Sequence, residues 1–160
     1  MTTDSNEYPH PQLKLENQLC FAIYASSREM TKMYQPLLDR LGVTYSQYLV
    51  MIVLWEQQEC TVKELGNALY LDSGTLTPLL KRLEAAGLII RKRSTEDERK
   101  VHITLTEAGQ QLQEQAVNIP QDVMDGTCMN TKKLEELLGE FKQLLHNVHQ
   151  TNIEMANNKS

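Results

Sequence analysis

Cys20 and the tyrosines near it are the residues of this 160-residue chain whose types and spacing best fit a chemical role. Cys20 lies in an apolar run, and Tyr24 is one helical turn further along the same face. Phenolic hydroxyl groups that donate hydrogen bonds to a sulfur favour the thiolate and lower its pKa. Such a thiolate in a largely apolar pocket would react with apolar peroxides and become a sulfenic acid. A buried cysteine among tyrosines is also a common core arrangement, and the spacing alone leaves both interpretations open.

Tyr34 can join this site only from a second copy of the chain. It is fourteen residues after Cys20, which returns it to nearly the same helix face but separates the two by roughly 21 Å. In an antiparallel pair of helices the second copy runs the other way, so its Tyr34 would lie near Cys20 of the first. Tyr45, at the start of the next predicted helix, would join the same cluster.

A second set of residues, between Thr61 and Thr106, follows the plan of a winged helix-turn-helix. Thr61 starts a first helix with a capping box, and Asp72 starts a second with its own capping residues. Two strand patterns follow at 88–93 and 101–105, and a polar turn separates them. This order of elements predicts a mainly α fold with a small β-hairpin, and it points to DNA.

The second helix of this segment carries short polar side chains at its start and cations further along. We expect its N-terminal end to enter the major groove of DNA, where short side chains let the backbone approach the bases. The cations would lie on phosphates. The candidate DNA-contacting residues of this helix are Asp72, Ser73, Gly74, Thr75, Thr77, Pro78, Lys81 and Arg82.

The charged hairpin offers a second DNA contact. Asp97 and Arg99 form an Asp-x-Arg pair, in which the carboxylate would hold the guanidinium extended for insertion into the minor groove. An ordinary hairpin ion pair, which contributes little, is the alternative. The neighbouring cations Arg91, Lys92 and Arg93 favour the DNA interpretation, and we include Arg91 and Arg93 among the candidate contacts.

The charge distribution agrees with one DNA-binding face. The net charge is −5, which excludes a generic nucleic-acid coat, yet residues 81–100 hold seven Lys or Arg against four acids. A basic element on an otherwise acidic chain is typical of a protein that presents one surface to DNA. A solvated charged hairpin is the plainer interpretation of the same run.

The order of predicted elements defines one domain with dimerisation extensions. Apolar stripes on the first helix and on the last two exceed what one small domain can cover, so we expect a two-fold homodimer. Its two recognition helices would read a palindromic operator with half-sites about 34–36 Å apart. The expected divisions are a flexible tail at 1–12, a single unit at 13–150 that comprises dimerisation helices at 13–43 and 106–150 and a DNA-binding lobe at 44–105, and a flexible tail at 151–160.

Proline positions refine the expected helix boundaries. Pro36 should kink or end the first helix, and Pro120 should kink a long helix from Thr106 to about Met124. The last helix should run from Asn130 to about Gln150.

The sequence argues against several classes of protein. No signal peptide is visible, and no apolar run approaches the roughly 20 residues of a membrane span. Cys20, Cys60 and Cys128 form no zinc pattern, so we expect no metal or other cofactor, and a reducing cytoplasm as the compartment. Cys60 is expected to be structural. His146 and His149 have a spacing that could share a metal, but a solvent-facing pair is the expectation.

Two stretches of the sequence resemble the MarR family of transcriptional regulators, and within it the organic hydroperoxide-sensing OhrR branch. They are residues 13–56, with the motif LENQLCF, and residues 70–109, with LDSGTLTPLLKRLE. The resemblance extends over roughly residues 13–150. It implies a homodimeric repressor that binds a palindromic operator when reduced. Oxidation of Cys20 by an organic hydroperoxide would release the DNA and derepress a peroxide-detoxification gene.

The resemblance also implies roles for individual residues. Tyr34 and Tyr45 match tyrosines that hydrogen-bond the sensor sulfur from the other protomer, and Tyr24 matches one from the same helix. Cys128 falls roughly where the two-cysteine type of the family has a resolving cysteine, although the local sequence match there is poor. In the one-cysteine type, the oxidised Cys20 would instead form a mixed disulfide with a small thiol.

Two other functions remain as alternatives at this stage. A MarR-type repressor could be released by a small aromatic ligand, with Cys20 structural. A thiol peroxidase is disfavoured, because no general base or oxyanion-stabilising group accompanies Cys20 in the sequence. We therefore do not expect an enzyme.

Overall fold

The computed structural model of the chain describes residues 9–97 and 99–158. The described residues fall into two compact units, which divide between Pro120 and Gln121. The helices are α1 (Leu19–Asp39), α2 (Tyr45–Gln57), α3 (Val62–Leu69), α4 (Ser73–Ala85), α5 (Glu107–Ala116), α6 (Ile119–Asp125) and α7 (Thr131–Asn157). The strands are β1 (Glu59–Thr61), β2 (Ile89–Arg93) and β3 (Val101–Leu105).

Side-chain caps fix the ends of the predicted helix-turn-helix. The Thr61 hydroxyl accepts the backbone N–H of Glu64 at 3.2 Å, and the Glu64 carboxylate accepts the N–H of Thr61 at 2.7 Å. At the start of α4, the Asp72 carboxylate accepts the N–H of Thr75 at 2.9 Å. Gly87, just after α4, has φ +72°, a left-handed conformation that glycine adopts without strain. The predicted capping box of α3 and the two-helix plan are confirmed.

The hairpin predicted after α4 is confirmed and belongs to a larger sheet. Strands β2 and β3 pair antiparallel with Ile89 opposite Leu105, and the strand order is β1-β3-β2. Strand β1 places Cys60 opposite Ile103. The sequence did not reveal β1, because three residues are too few for an alternating pattern to be recognised.

The core of the first unit lies around α2, which packs against α3, α4, α5 and β3. Because α2 is apolar on most of its surface, it can be surrounded in this way. Burying each large aliphatic side chain stabilises the fold by about 1.5–3 kcal/mol. Helix α4 contributes one face to this core and leaves its other face outward. The fully buried side chains of the unit include Leu38, Val50, Met51, Leu54, Leu65, Leu76, Leu80, Leu83, Ile89 and Ile103.

The first helix differs from its prediction at both ends. Two short 3₁₀ helices, Pro11–Leu13 and Leu15–Asn17, precede α1, which begins only at Leu19. Pro36 neither ends nor interrupts α1, which continues to Asp39. Pro36 is exposed, so water can bond the carbonyl group that its missing N–H leaves without a partner.

The prediction of a single kinked helix after Thr106 was wrong. The chain forms two helices, α5 and α6, and Val117 and Asn118 separate them. Pro120 is the second residue of α6, where a helix does not need its N–H. The expectation of a loose tail from residue 151 is also wrong for 151–157, which continue α7.

Among residues 9–97 and 99–158, no helix has both the length and the apolar character needed to cross a membrane.

We predict that Gly109→Ala lowers the free energy of unfolding by about 2–3 kcal/mol. Gly109 lies in the first turn of α5, and an added Cβ would collide with the backbone carbonyl oxygen of Leu88. Gly139→Ala is the matched control, because nothing lies within 4 Å of a Cβ built at that helical position. It should raise the stability by about 0.5–1 kcal/mol through helix propensity. Urea denaturation measures both, and equal stability of the two variants would contradict the collision.

Candidate nucleic-acid interface and sensor cysteine

The N-terminus of α4 is held by Asp72. Its Oδ1 accepts the backbone N–H of Thr75 at 2.9 Å, and its Oδ2 accepts the hydroxyl of Thr75 at 3.0 Å. These hydrogen bonds, the backbone one first, lower the pKa of the Asp72 carboxyl group. The Thr77 hydroxyl donates to the carbonyl oxygen of Ser73 at 2.7 Å. Asp72 is therefore a capping residue. The hydroxyls of Thr75 and Thr77 already donate hydrogen bonds within this segment, so a contact with DNA would use their remaining acceptor capacity.

The outward face of α4 holds the remaining predicted contacts. Leu76, Leu80 and Leu83 are buried, so the positions between them face away from the core. This arrangement presents two cations and several small side chains on one helical surface. Besides Asp72, the exposed residues of the set predicted for this helix are Ser73, Gly74, Thr75, Thr77, Pro78, Lys81 and Arg82.

Arg91 differs from the other predicted contacts, because it has a partner within the chain. Its Nε donates to the Glu84 carboxylate at 2.9 Å, and its backbone N–H donates to the same carboxylate at 3.3 Å. The hydrogen bond from the guanidinium is the main cause of the lowered pKa of Glu84. The Arg91 side chain is 26% exposed. Arg91 thus ties β2 to the last turn of α4, while Arg93 on the same strand is exposed.

The Asp-x-Arg pair forms a different contact from the one predicted. Asp97 Oδ1 accepts the backbone N–H of Arg99 at 3.1 Å, so the carboxylate holds the main chain and not the guanidinium. A short side chain two residues upstream reaches the amide more readily than the end of a long arginine. The Ser94 hydroxyl accepts the N–H of Asp97 at 3.2 Å, which further fixes the turn. Arg99 remains exposed.

A groove of about 690 Å³ is lined by two lysines, Lys63 and Lys100, that the sequence did not single out as DNA contacts. Lys63 lies on the first turn of α3, and Lys100 follows Arg99 in the hairpin. The groove also contains Arg99, so cations from two separate segments line one concavity. Lys63 lies near Arg99 and Lys100 because the hairpin packs against α3. The sequence around each of these residues does not indicate that packing.

Cys20 is exposed at the second position of α1. Tyr24 is 60% exposed, and the Arg28 guanidinium carbon lies 5.4 Å from the centre of its ring. Helix α1 runs without a break past Tyr34, so Cys20 and Tyr34 are separated by roughly 21 Å along the helix. One copy of the chain therefore places Tyr24 one helical turn from Cys20, but it does not bring Cys20 to Tyr34 or to Tyr45, which lies beside Tyr34.

The predicted partners of Cys20 do come together with each other. The ring centres of Tyr34 and Tyr45 are 4.8 Å apart. Tyr48, which the sequence did not single out, is only 3% exposed, and its ring lies 6.0 Å from Tyr34 and 6.4 Å from Tyr45. Burial is the main cause that raises the pKa of all three phenols, that of Tyr48 to about 12. At neutral pH the phenols of Tyr34 and Tyr45 are thus protonated hydrogen-bond donors.

The other two cysteines have different surroundings. Cys60 in β1 is buried, and burial, followed by the nearby carboxylates of Glu64 and Glu59, raises its thiol pKa to about 11. Cys128 is exposed between α6 and α7 and has φ +56°, in the left-handed region that few non-glycine residues adopt. It belongs to the second unit of the chain.

No group of three or more His, Cys, Asp or Glu that could hold a metal ion occurs within the described part of the chain. His146, which the sequence paired with His149, is exposed on α7.

The chain is similar to known transcriptional regulators. The family described as Transcriptional regulator SarA/Rot matches residues 32–116. The chain is 55% identical over 147 residues to the organic hydroperoxide resistance transcriptional regulator of Bacillus subtilis, across 92% of this chain and 99% of that protein.

Solved structures of AbfR from Staphylococcus epidermidis are similar along most of the chain. Reduced AbfR bound to DNA is 40% identical, with a TM-score of 0.70 over 86% of this chain and 96% of that one. The disulfide form of AbfR is also 40% identical, with a TM-score of 0.57 over 87% of this chain and 92% of that one.

Arg99→Ala and Arg91→Ala should affect DNA binding differently. Arg99 is exposed at the hairpin, and its loss should reduce the slope of log K against log salt by about one, as for a lost phosphate contact. Arg91 is bonded to Glu84, so its loss should weaken binding by loosening the hairpin and leave the slope unchanged. Fluorescence anisotropy over a salt series measures both, and the reverse pattern of slopes would contradict these roles.

Cys60 should resist alkylation in the native protein up to alkaline pH. Its pKa is raised to about 11 because burial disfavours the charged thiolate, and the protonated thiol is unreactive. Iodoacetamide at about pH 8.5, the pKa of an ordinary thiol, should modify exposed Cys128 and leave Cys60 intact. Peptide mass spectrometry measures the modification, with urea-unfolded protein as the control. Equal alkylation of the two residues in the native protein would contradict the prediction.

Proposed function

We propose that this chain is a redox-sensing repressor. It belongs to the MarR family of transcriptional regulators and to the organic hydroperoxide-sensing branch of that family. The reduced homodimer binds a palindromic operator, and oxidation of Cys20 by an organic hydroperoxide releases it. One observation carries this proposal. The thiol of Cys20 is accessible, and Tyr34, whose ring lies beside Tyr45, is on the same helix but roughly 21 Å away. Only a second copy of the chain could bring these phenols to the thiol. The expected compartment is the cytoplasm, where thiols are kept reduced.

The proposed DNA-binding element is the exposed face of α4, together with the hairpin. Lys81 and Arg82 would lie on phosphates, while the small residues at the start of α4 approach base edges in the major groove. Arg93 and Arg99 would reach the DNA from the hairpin, and Asp97 and Arg91 would hold that hairpin in position. Reduced AbfR, which is 40% identical, has been solved bound to DNA, and this supports the proposal.

The proposed chemistry at Cys20 is a two-electron oxidation. The thiolate sulfur attacks the terminal oxygen of the hydroperoxide, the O–O bond breaks, and the alkoxide leaves and takes a proton to become an alcohol. The sulfur is oxidised to sulfenic acid, and the peroxide is reduced. Tyr34 and Tyr45 of the partner subunit, together with Tyr24 of the same helix, would donate hydrogen bonds to the thiolate. Tyr34 and Tyr45 are half-buried, which raises their pKa and keeps them protonated, and such phenols are suited to this role.

Exposed apolar surface supports the homodimer. Phe21 is 42% exposed beside Cys20, and three leucines that precede it are more exposed still. On α7 the exposed residues Phe141, Val148 and Met155 recur every seven positions, a spacing typical of helices that pack against other helices. Large apolar side chains exposed together on one element are typical of surfaces that another protein covers. A second copy of the chain is the proposed cover for both.

The fate of the sulfenic acid depends on Cys128. We propose that Cys128 of the partner subunit condenses with it, forming a disulfide with Cys20 and releasing water. Cys128 is exposed, as this reaction requires. The disulfide form of AbfR supports this route, although a mixed disulfide with a small thiol is the competing one.

Operator binding by wild type and Cys20→Ser tests the function. The wild type should bind a palindromic fragment from upstream of its own gene, lose affinity on titration with cumene hydroperoxide, and regain it with dithiothreitol. The expected loss is about 5–150-fold, the range of ordinary allosteric coupling. Cys20→Ser should bind equally before and after the peroxide. Fluorescence anisotropy gives the affinities.

The same samples separate the alternatives. Loss of binding in both variants, or in neither, would contradict Cys20 as the sensor and favour a repressor released by a small aromatic ligand. Non-reducing gel electrophoresis of the oxidised wild type shows the resolving step. A linked dimer that Cys128→Ser abolishes supports Cys128, whereas a monomer with added thiol mass supports the small-thiol route.

A further inference from the structure

The tyrosine pair is joined to the DNA-binding lobe by a continuous set of contacts within the first unit. Tyr45 and Tyr48 are on successive turns of α2, with ring centres 6.4 Å apart. Trp55 is two turns further along the same helix, and its ring packs edge-on against Tyr48 at 6.2 Å. Tyr48 is therefore wedged between the predicted partners of the sensor thiol and the only tryptophan in the sequence.

Trp55 continues these contacts to α5. Its indole N–H donates to the carbonyl oxygen of Gly109 at 2.9 Å, which joins residues 54 positions apart in the sequence. A buried or half-buried N–H of this kind is costly to leave unpaired, so the bond fixes the distance between α2 and α5. Gly109 has no side chain, and its backbone packs closely against the carbonyl oxygen of Leu88.

The start of α5 is in turn bonded to the junction of α4 and β2. The Thr106 hydroxyl donates to the carbonyl oxygen of Gly87 at 2.6 Å, and the Thr106 N–H donates to that of Leu88 at 3.1 Å. Gly87 and Leu88 also close the C-terminus of α4, through hydrogen bonds to Glu84 and Leu83. A displacement of α5 would therefore act directly on the recognition helix and on the strand that carries the hairpin.

We propose that Tyr48 and Trp55 are positioning residues that couple the tyrosine pair to the α4–β2 junction. This inference rests on the proposed redox function. When Cys20 of the partner subunit is oxidised, Tyr34 and Tyr45 lose their hydrogen-bond acceptor and shift. Tyr48 transmits the shift because a close-packed interior leaves no space to absorb it. Trp55 passes it to α5 through its hydrogen bond, and the orientation of α4 changes.

Three variants test this coupling. Trp55→Phe keeps an aromatic ring and removes the N–H donor, and Tyr48→Leu removes the ring that separates Tyr45 from Trp55. Tyr48→Phe is the conservative control, because it keeps every ring contact. For each protein, operator affinity is measured before and after complete oxidation of Cys20 by cumene hydroperoxide. The rate of that oxidation is measured separately by mass spectrometry, since a positioning residue should leave it unchanged.

The ratio of reduced to oxidised affinity decides the outcome. Trp55→Phe should lower this ratio by about fivefold, the factor that corresponds to the one hydrogen bond it loses. Tyr48→Leu, which removes the ring contacts, should also lower the ratio, while Tyr48→Phe retains the wild-type value. Wild-type ratios in the first two variants would overturn the coupling and leave the proposed function intact. A wild-type protein whose affinity does not respond to oxidation would overturn both.

Tryptophan fluorescence gives a second readout that does not need the Trp55 variant to fold. Because Trp55 is the only tryptophan, its emission reports on this position alone. Oxidation of Cys20 should shift the emission in the wild type and in Tyr48→Phe, and the shift should be lost in Tyr48→Leu. Unchanged emission on oxidation of the wild type would overturn the coupling.

Discussion

The uninterrupted course of α1 is the constraint on which the proposed switch depends. Because α1 continues without a break from Cys20 to Tyr34, it holds the two residues roughly 21 Å apart, on nearly the same face, and one copy does not bring them together. Tyr34 and Tyr45 could therefore reach the thiolate only from a second copy of the chain, whereas Tyr24 lies on the same helix as Cys20. Peroxide sensing would then depend on dimerisation, because oxidation of the sulfur would change the contact between the two copies.

The DNA-binding lobe meets a complementary requirement, because α4 must be both anchored and exposed. Leu76, Leu80 and Leu83 anchor one face in the core around α2. Asp72 and Gly87 define its two ends, and the bond between Arg91 and Glu84 fixes the hairpin to its last turn. An element held at both ends and along one side moves as a body, so small displacements at its ends would change its fit to DNA.

The sequence predicted the elements whose signals are local. Caps at Thr61 and Asp72 depend on residues three positions apart, and the structure contains both. The sequence predicted contacts less well where they depend on which distant segments pack together. The pairing of Arg91 with Glu84, the third strand around Cys60 and the position of Tyr48 between two aromatic groups all require knowledge of which segments meet. Pro36 shows the same limit, since its exposure decides whether a helix can tolerate it.

The three cysteines show how environment, and not residue type, separates the roles of identical side chains. Cys60 lies in strand β1 and is buried, and burial keeps its thiol protonated, so no thiolate is present there to attack a peroxide. Cys20 and Cys128 are both exposed in one copy, yet only Cys20 lies on the helix that also carries Tyr34, which we propose donates to the sulfur of the partner subunit. Selectivity for Cys20 would then arise on assembly, because the second copy would supply Tyr34, Tyr45 and apolar surroundings. A monomer would contain the same thiol and Tyr24 without the other two phenols.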